Sequence, residues 1–166
     1  QHLYGPRVHL HSDPFVLSMP ARIGSNDTRP PLLLAQLRTA YRVLLSRACA
    51  SELPCVESTV HTRMSAVTPL GRWTGCIIDP TTQVVIANVM RAGNIPSVVC
   101  YEELGGLIDS ERLRIDHFYF SRVCDDEGHI LRVQSSGSKI GGSAAGAVVI
   151  VPEPIGATGG TLVRTV

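Results

Sequence analysis

Lysine is nearly absent from this sequence: of 15 basic residues only Lys139 is a lysine. Anion recognition, if the chain performs it, therefore rests on guanidinium forks or on backbone N–H groups rather than on ammonium groups. Codon usage is the competing explanation of the same bias. Net charge is lacking too, at +1 with 14 acidic residues, so no general field gathers polyanions and nucleic-acid binding is not expected. Cys49, Cys55, Cys76, Cys100 and Cys124 are odd in number, scattered and never in CxxC spacing, which argues against a disulfide framework or a zinc site and for a reducing cytoplasm. Long apolar runs are missing as well. Residues 1–17 mix His, Arg and Asp with apolar residues and do not read as a secretory signal, and the apolar stretch 144–151 is too short to span a bilayer. The expectation is a protein without membrane contact.

What is present suits one domain of 166 residues, 44% of them apolar. Between 31 and 50, Leu33, Leu37, Ala40, Tyr41, Leu44, Leu45 and Ala48 recur at three- and four-residue spacing and predict an amphipathic helix, started by Asp27, Thr28, Pro30 and Pro31 and stopped by Pro54. Residues 60–78 read as a hairpin or a surface loop around Thr68-Pro69-Leu70-Gly71. The pattern then changes to an apolar β-forming run at 83–89, a helix over 95–107 bounded by Pro96 and Gly105-Gly106, and apolar strands at 115–120 and 147–151. Strand, turn, helix and strand in this order predict an α/β fold with an open, mainly parallel sheet flanked by helices. The segment 122–146, rich in Gly, Ser and Asp with one alternating stretch at 129–134, is expected to be a protruding arm or flap before the last strand.

The last predicted strand runs into Pro152-Glu153-Pro154-Ile155-Gly156-Ala157-Thr158-Gly159-Gly160-Thr161, with Leu162 and Val163 opening a helix. Ligands of open α/β sheets bind beyond the carboxyl ends of the strands. There Thr158, Gly159, Gly160 and Thr161 would offer backbone N–H groups and two hydroxyls at a helix N-terminus, a set that fits a phosphate monoester. Neither the GxxxxGK[ST] lysine nor a GxGxxG pattern is present, and a tight turn that simply needs two glycines is the alternative. His9, His11 and Asp13 alternate but read as ordinary polar side chains rather than metal ligands. Asp125, Asp126 and Glu127 before Gly128 suit a solvated turn. Trp73 and Cys100 read as packing residues.

The loop 153–161 resembles the phosphoribosyl diphosphate loop of uracil phosphoribosyltransferases, in which an acidic residue, Pro, two variable residues and Ala-Thr-Gly-Gly-Ser/Thr follow an apolar strand. Pro154, Ala157, Thr158, Gly159, Gly160 and Thr161 carry the match, and Glu153 stands where the family usually has Asp. Arg91-Ala92-Gly93 after the first apolar strand resembles a second family element, and Thr68-Pro69-Leu70-Gly71 with Gly75 a third. The family often has Tyr-Arg-Asp after the next strand, where this chain has Ser121-Arg122-Val123. The resemblance runs from about Pro14 onward, and nothing in the chain matches the family's uracil-binding segment. It implies a phosphoribosyltransferase-like domain over 1–166, incomplete at the C-terminus, as the start on Gln1 and the end at Val166 also suggest for both ends.

The activity so implied is pyrimidine salvage: transfer of ribose 5-phosphate from phosphoribosyl diphosphate to uracil, giving UMP and pyrophosphate. By the same resemblance Glu153, Ala157, Thr158, Gly159, Gly160 and Thr161 hold the ribose and its 5-phosphate. Arg91, Ala92 and Gly93, with Arg122 as a further candidate, take the pyrophosphate, and Arg91 and Glu153 are the catalytic pair. Mg²⁺ would arrive with the substrate. A homodimer or higher homo-oligomer, a GTP effector and a cytoplasmic location follow from the family. A different class stays open, a non-catalytic homologue that kept the sugar-phosphate loop as a nucleotide- or phosphate-binding module. On either view the chain is expected to bind phosphoribosyl diphosphate weakly and to make little UMP without a base-binding segment.

Overall fold

β3 (Val84–Met90) is the centre of the structure: its residues 84–89 are all buried, which happens only to a strand covered on both faces and paired on both edges. The computed structural model describes residues 5–127, 130–156 and 159–165, and for Arg122, Cys124, Ile130 and Arg164 the backbone alone. β3 pairs in parallel with β4 (Leu113–Cys124) on one side and with β6 (Val148–Ile150) on the other. β5 (Ile130–Lys139) adds an antiparallel edge to β4, so the sheet order is β5-β4-β3-β6. The result is an α/β fold with a mixed sheet flanked by helices.

The arm expected at 122–146 is thus sheet for much of its length. β4 runs on to Cys124, well past the expected end at 120, and β5 returns along it. A register shift between Tyr119 and Phe120 leaves Ser136 without a partner beside Gly137, whose φ of +153° suits glycine. Serines and glycines hid the strand because β-propensity records fit to a half-buried surface, and the side chains of β5 that are described are mostly exposed.

α2 (Leu32–Glu52) packs on one face of this sheet together with α3 (Asn94–Leu104). Tyr41, Leu45 and Cys49 are its buried residues, a single four-residue row with Leu37 half-buried behind it. Leu44, expected on the buried face, is 42% exposed, and Ala48 is exposed as well, because the helix meets the core along one narrow stripe. Asp27 and Thr28 do not cap it; Pro31 is the N-cap, with no side-chain bond. Val84, Ile86, Val99, Cys100, Leu104, Ile108 and Leu113 complete the core, so Cys100 is the packing residue expected. At the surface Arg42 bonds Glu103 at 2.6 Å and Arg38 lies 3.7 Å from Glu102, exposed pairs worth about 0–1 kcal/mol each.

α1 (Pro14–Ile23) had no counterpart in the sequence reading, although its start is legible: Asp13 accepts from Val16 N–H at 3.1 Å, and Pro14 follows as the first helical residue. The stretch 60–78 is the greater part of a hairpin of β1 (Cys55–His61) and β2 (Arg72–Ile78), which begins five residues earlier than expected. Thr62 Oγ1 donates to Gly71 O at 2.7 Å, and a side chain at Gly71 would run into the Ser65 backbone, which explains the glycine. Trp73 is 46% exposed and faces Val60 across the hairpin, so it is no core residue. Among the described residues no helix is long and apolar enough to cross a membrane.

One polar clamp fixes the return from β5. Asp116, 3% exposed, accepts from Arg114 Nε at 3.1 Å and from Gly141 N–H at 2.9 Å, while Arg114 Nη2 donates to the carbonyls of Gly142 (3.0 Å) and Ser143 (3.2 Å). Burial alone would raise the Asp116 carboxyl; the bonds from Arg114 and Gly141, with the guanidinium charge, outweigh it and hold the group below its ordinary value. A depressed folded pKa means that the unfolded chain binds its proton first, so this contribution is complete above about pH 5, begins to be lost as pH falls past the usual Asp value of roughly 3.9 and is gone once pH falls through the lower folded value. Asp116→Ala is expected to cost about 2–4 kcal/mol in urea unfolding at pH 7 and to flatten the loss of stability between about pH 5 and 3. An unchanged midpoint at pH 7 would contradict the clamp.

Candidate functional site

β3 and β6 run parallel, with Val84 opposite Val148 and Ile86 opposite Ile150, so the chain leaves both strands toward the carboxyl end of the sheet, β3 continuing four residues beyond that last pair to Met90. The turn 91–93 leaves β3 there. Gly93 N–H donates to Val89 O at 2.9 Å, Asn94 N–H to Arg91 O at 3.1 Å, and Ser97 N–H to Gly93 O at 2.9 Å, which starts α3 directly behind the turn. Arg91 and Ala92 are exposed and Gly93 is buried. The Met90–Arg91 peptide is cis. A Cβ on Gly93 would lie 2.8 Å from Val89 O, closer than any methyl group is tolerated, so close backbone packing accounts for the glycine.

From β6, Pro152 is buried and Glu153 half-buried; Ile155 N–H donates to Glu153 Oε1 at 3.4 Å, and Ile155 and Gly156 face solvent. Ala157 and Thr158 lie outside the described residues. Gly159 has φ +73°, a left-handed conformation that favours glycine, and its carbonyl accepts from Val163 N–H at 3.0 Å as α4 (Gly160–Thr165) begins. Gly160 and Thr161 are half-buried. α4 has only six residues, so an anion here would be held by N–H groups and hydroxyls more than by a long-helix dipole.

Arg91, Ala92 and Gly93 thus follow β3, and Glu153 follows the neighbouring β6, at the carboxyl end of the sheet, while Gly160 and Thr161 open α4, which contacts β5. Arg122 sits on β4 three residues beyond Tyr119, the partner of Met90, with its backbone opposite Val133; its side chain lies outside what is described. Among the described residues no group of three His, Cys, Asp or Glu side chains is arranged to hold a metal ion. His9 lies 3.9 Å from Glu52, and Asp13 caps α1.

Two features were missed in the sequence. Tyr41 on α2 is raised well above the ordinary phenol range, by burial first and then by the Glu153 carboxylate, so the core helix lies within electrostatic reach of the loop. Asn88, at 1% exposure, belongs to a buried polar group with Asn94 and His117. The signal was available, since Asn88 interrupts the apolar run 83–89 just before the turn.

No protein-family model matches the chain. No curated protein matches it either. Among solved structures it is similar to the AQ2163 protein from Aquifex aeolicus, with a TM-score of 0.67 at 20% identity over 95% of this chain and 66% of that one. The likeness is one of fold. The chain spans slightly less than two thirds of that protein's length.

Both glycines give checks on the site's construction. Gly93→Ala is expected to cost on the order of 1–3 kcal/mol, because backbone and not a flexible side chain must move, and Gly159→Ala about 1–2 kcal/mol for its left-handed φ. Thermal unfolding reads both, and two unaltered melting points would contradict the turn geometries.

Proposed function

We propose that the chain binds phosphoribosyl diphosphate across the shared end of β3 and β6 and serves uracil phosphoribosyltransferase-type pyrimidine salvage. The observation that supports the reading is that two segments resembling the family's motifs, 91–93 and the one that begins at Glu153, follow neighbouring parallel strands, β3 and β6. A phosphoribosyl diphosphate carries a phosphate at one end of its ribose and a diphosphate at the other. Two anion-compatible segments following neighbouring strands suit such a bifunctional anion better than a single phosphate.

In this reading the backbone N–H groups and hydroxyls of residues 158–161 hold the 5-phosphate, and Glu153 faces the ribose hydroxyls. Arg91 takes two oxygens of the diphosphate with its planar fork, supported by the N–H group of Ala92 and, by the family's pattern, by Arg122. The C1–O bond to the diphosphate breaks while uracil N1 forms a bond to C1 and releases its proton, giving UMP and pyrophosphate. Charge grows on the leaving diphosphate as positive character grows on the sugar, so a cation fixed at the diphosphate stabilises the transition state more than the ground state. Mg²⁺, carried in on the substrate's own diphosphate and hydroxyls, would supply further charge neutralisation, and Glu153 is the carboxylate of this loop that would face it. Orientation of the sugar and leaving group needs no covalent intermediate on the protein.

Arg91→Ala in the full-length polypeptide is expected to lower UMP formation from uracil, phosphoribosyl diphosphate and Mg²⁺ by on the order of 10²-fold or more. Binding of ribose 5-phosphate, which lacks the diphosphate, should be unaltered. Chromatographic assay of UMP with parallel calorimetry checks both; equal turnover of the two proteins would remove Arg91 from the mechanism, and no binding of phosphoribosyl diphosphate by the unaltered protein would remove the function.

A further inference from the structure

Among the six buried residues 84–89 of β3, Asn88 alone is polar. Its Nδ2 lies 3.2 Å from Asn94 Oδ1, 3.1 Å from His117 Nδ1 and 3.3 Å from Met90 Sδ. Met90 is the last residue before the turn 91–93, Asn94 the first after it, and His117 the residue of β4 directly beside Asn88 in the parallel register. One carboxamide therefore touches both shoulders of the turn and the neighbouring strand. A Cβ on Gly93 would lie 3.4 Å from Asn88 Oδ1, so the carboxamide sits beneath the turn.

Packing alone gives no reason for this residue. Val84 and Ile86 precede it on the same face of β3, and an apolar side chain at 88 would continue them. Instead Asn88 Oδ1 is buried with no hydrogen-bond partner, as is Ser97 Oγ on the first turns of α3. Buried acceptors without partners are a cost that proteins keep chiefly where a local rule is broken for function. We propose that Asn88 is a positioning residue that ties the Arg91-Ala92-Gly93 turn to β4 through Asn94 and His117, and so fixes where that turn meets the diphosphate half of the substrate. The inference rests on the phosphoribosyl diphosphate reading of the site.

Calorimetric titration of the whole chain with inorganic diphosphate plus Mg²⁺, and separately with ribose 5-phosphate, tests it. Asn88→Leu, of similar volume, should weaken diphosphate binding about tenfold or more while ribose 5-phosphate binding stays within about twofold. Asn94→Ala at an exposed position, where core packing is untouched, should act in the same direction, and the double variant should bind no worse than Asn88→Leu alone, because the two residues act as a unit. Asn94→Ala decides the matter if Asn88→Leu does not fold. Equal loss of both ligands, or undiminished diphosphate binding by a folded variant, overturns the inference and leaves the functional reading standing. An unaltered chain that binds neither ligand overturns both.

Discussion

Everything at the candidate site depends on the parallel pairing of β3 with β4 and β6. A strand buried on both faces and bonded on both edges has no freedom of register: a slip of one residue would turn its whole set of side chains to the other face. That fixed register brings the turn after Met90 and the loop after Ile150 to the carboxyl end of the sheet. The proposed ligand needs both segments, one for each of its anionic ends.

The two turns are built differently, and the contrast matters for what each can do. The 91–93 turn is braced from below by Asn88 and from behind by an eleven-residue helix, with Gly93 packed on the Val89 carbonyl. After β6, Pro152 is buried and the Glu153 carboxylate bonds its own backbone, and further on a left-handed glycine, Gly159, precedes a short helix. A braced turn suits a leaving group whose charge must be met at a fixed point. A longer loop of N–H groups suits a spectator phosphate that needs only to be anchored.

Much of this was legible in the sequence, and what was not has physical reasons. The central strand, α2, α3 and the last strand stood out because buried elements carry apolar patterns, here Val84 to Ala87 with Val89 beyond Asn88, and the row Leu37, Tyr41, Leu45 and Cys49. β5 did not, since its serines and glycine lie on an exposed edge where partners and not side chains define the strand. α1 escaped because its signal is a single capping pair, Asp13-Pro14, ahead of a helix with one buried residue. Of the site, the glycines and Arg91 were visible as a local motif. Asn88 and His117, 29 residues apart, became neighbours only through the sheet register, and no local pattern could join them.

The central claim is that one ligand spans the two strand ends. A crystal structure of the chain grown with phosphoribosyl diphosphate and Mg²⁺ tests it directly. The account predicts the 5-phosphate against the N–H groups of residues 159–161 and the diphosphate within hydrogen-bond reach of Arg91 and the Ala92 N–H group. Ligand density elsewhere, with both turns facing only solvent, would contradict it.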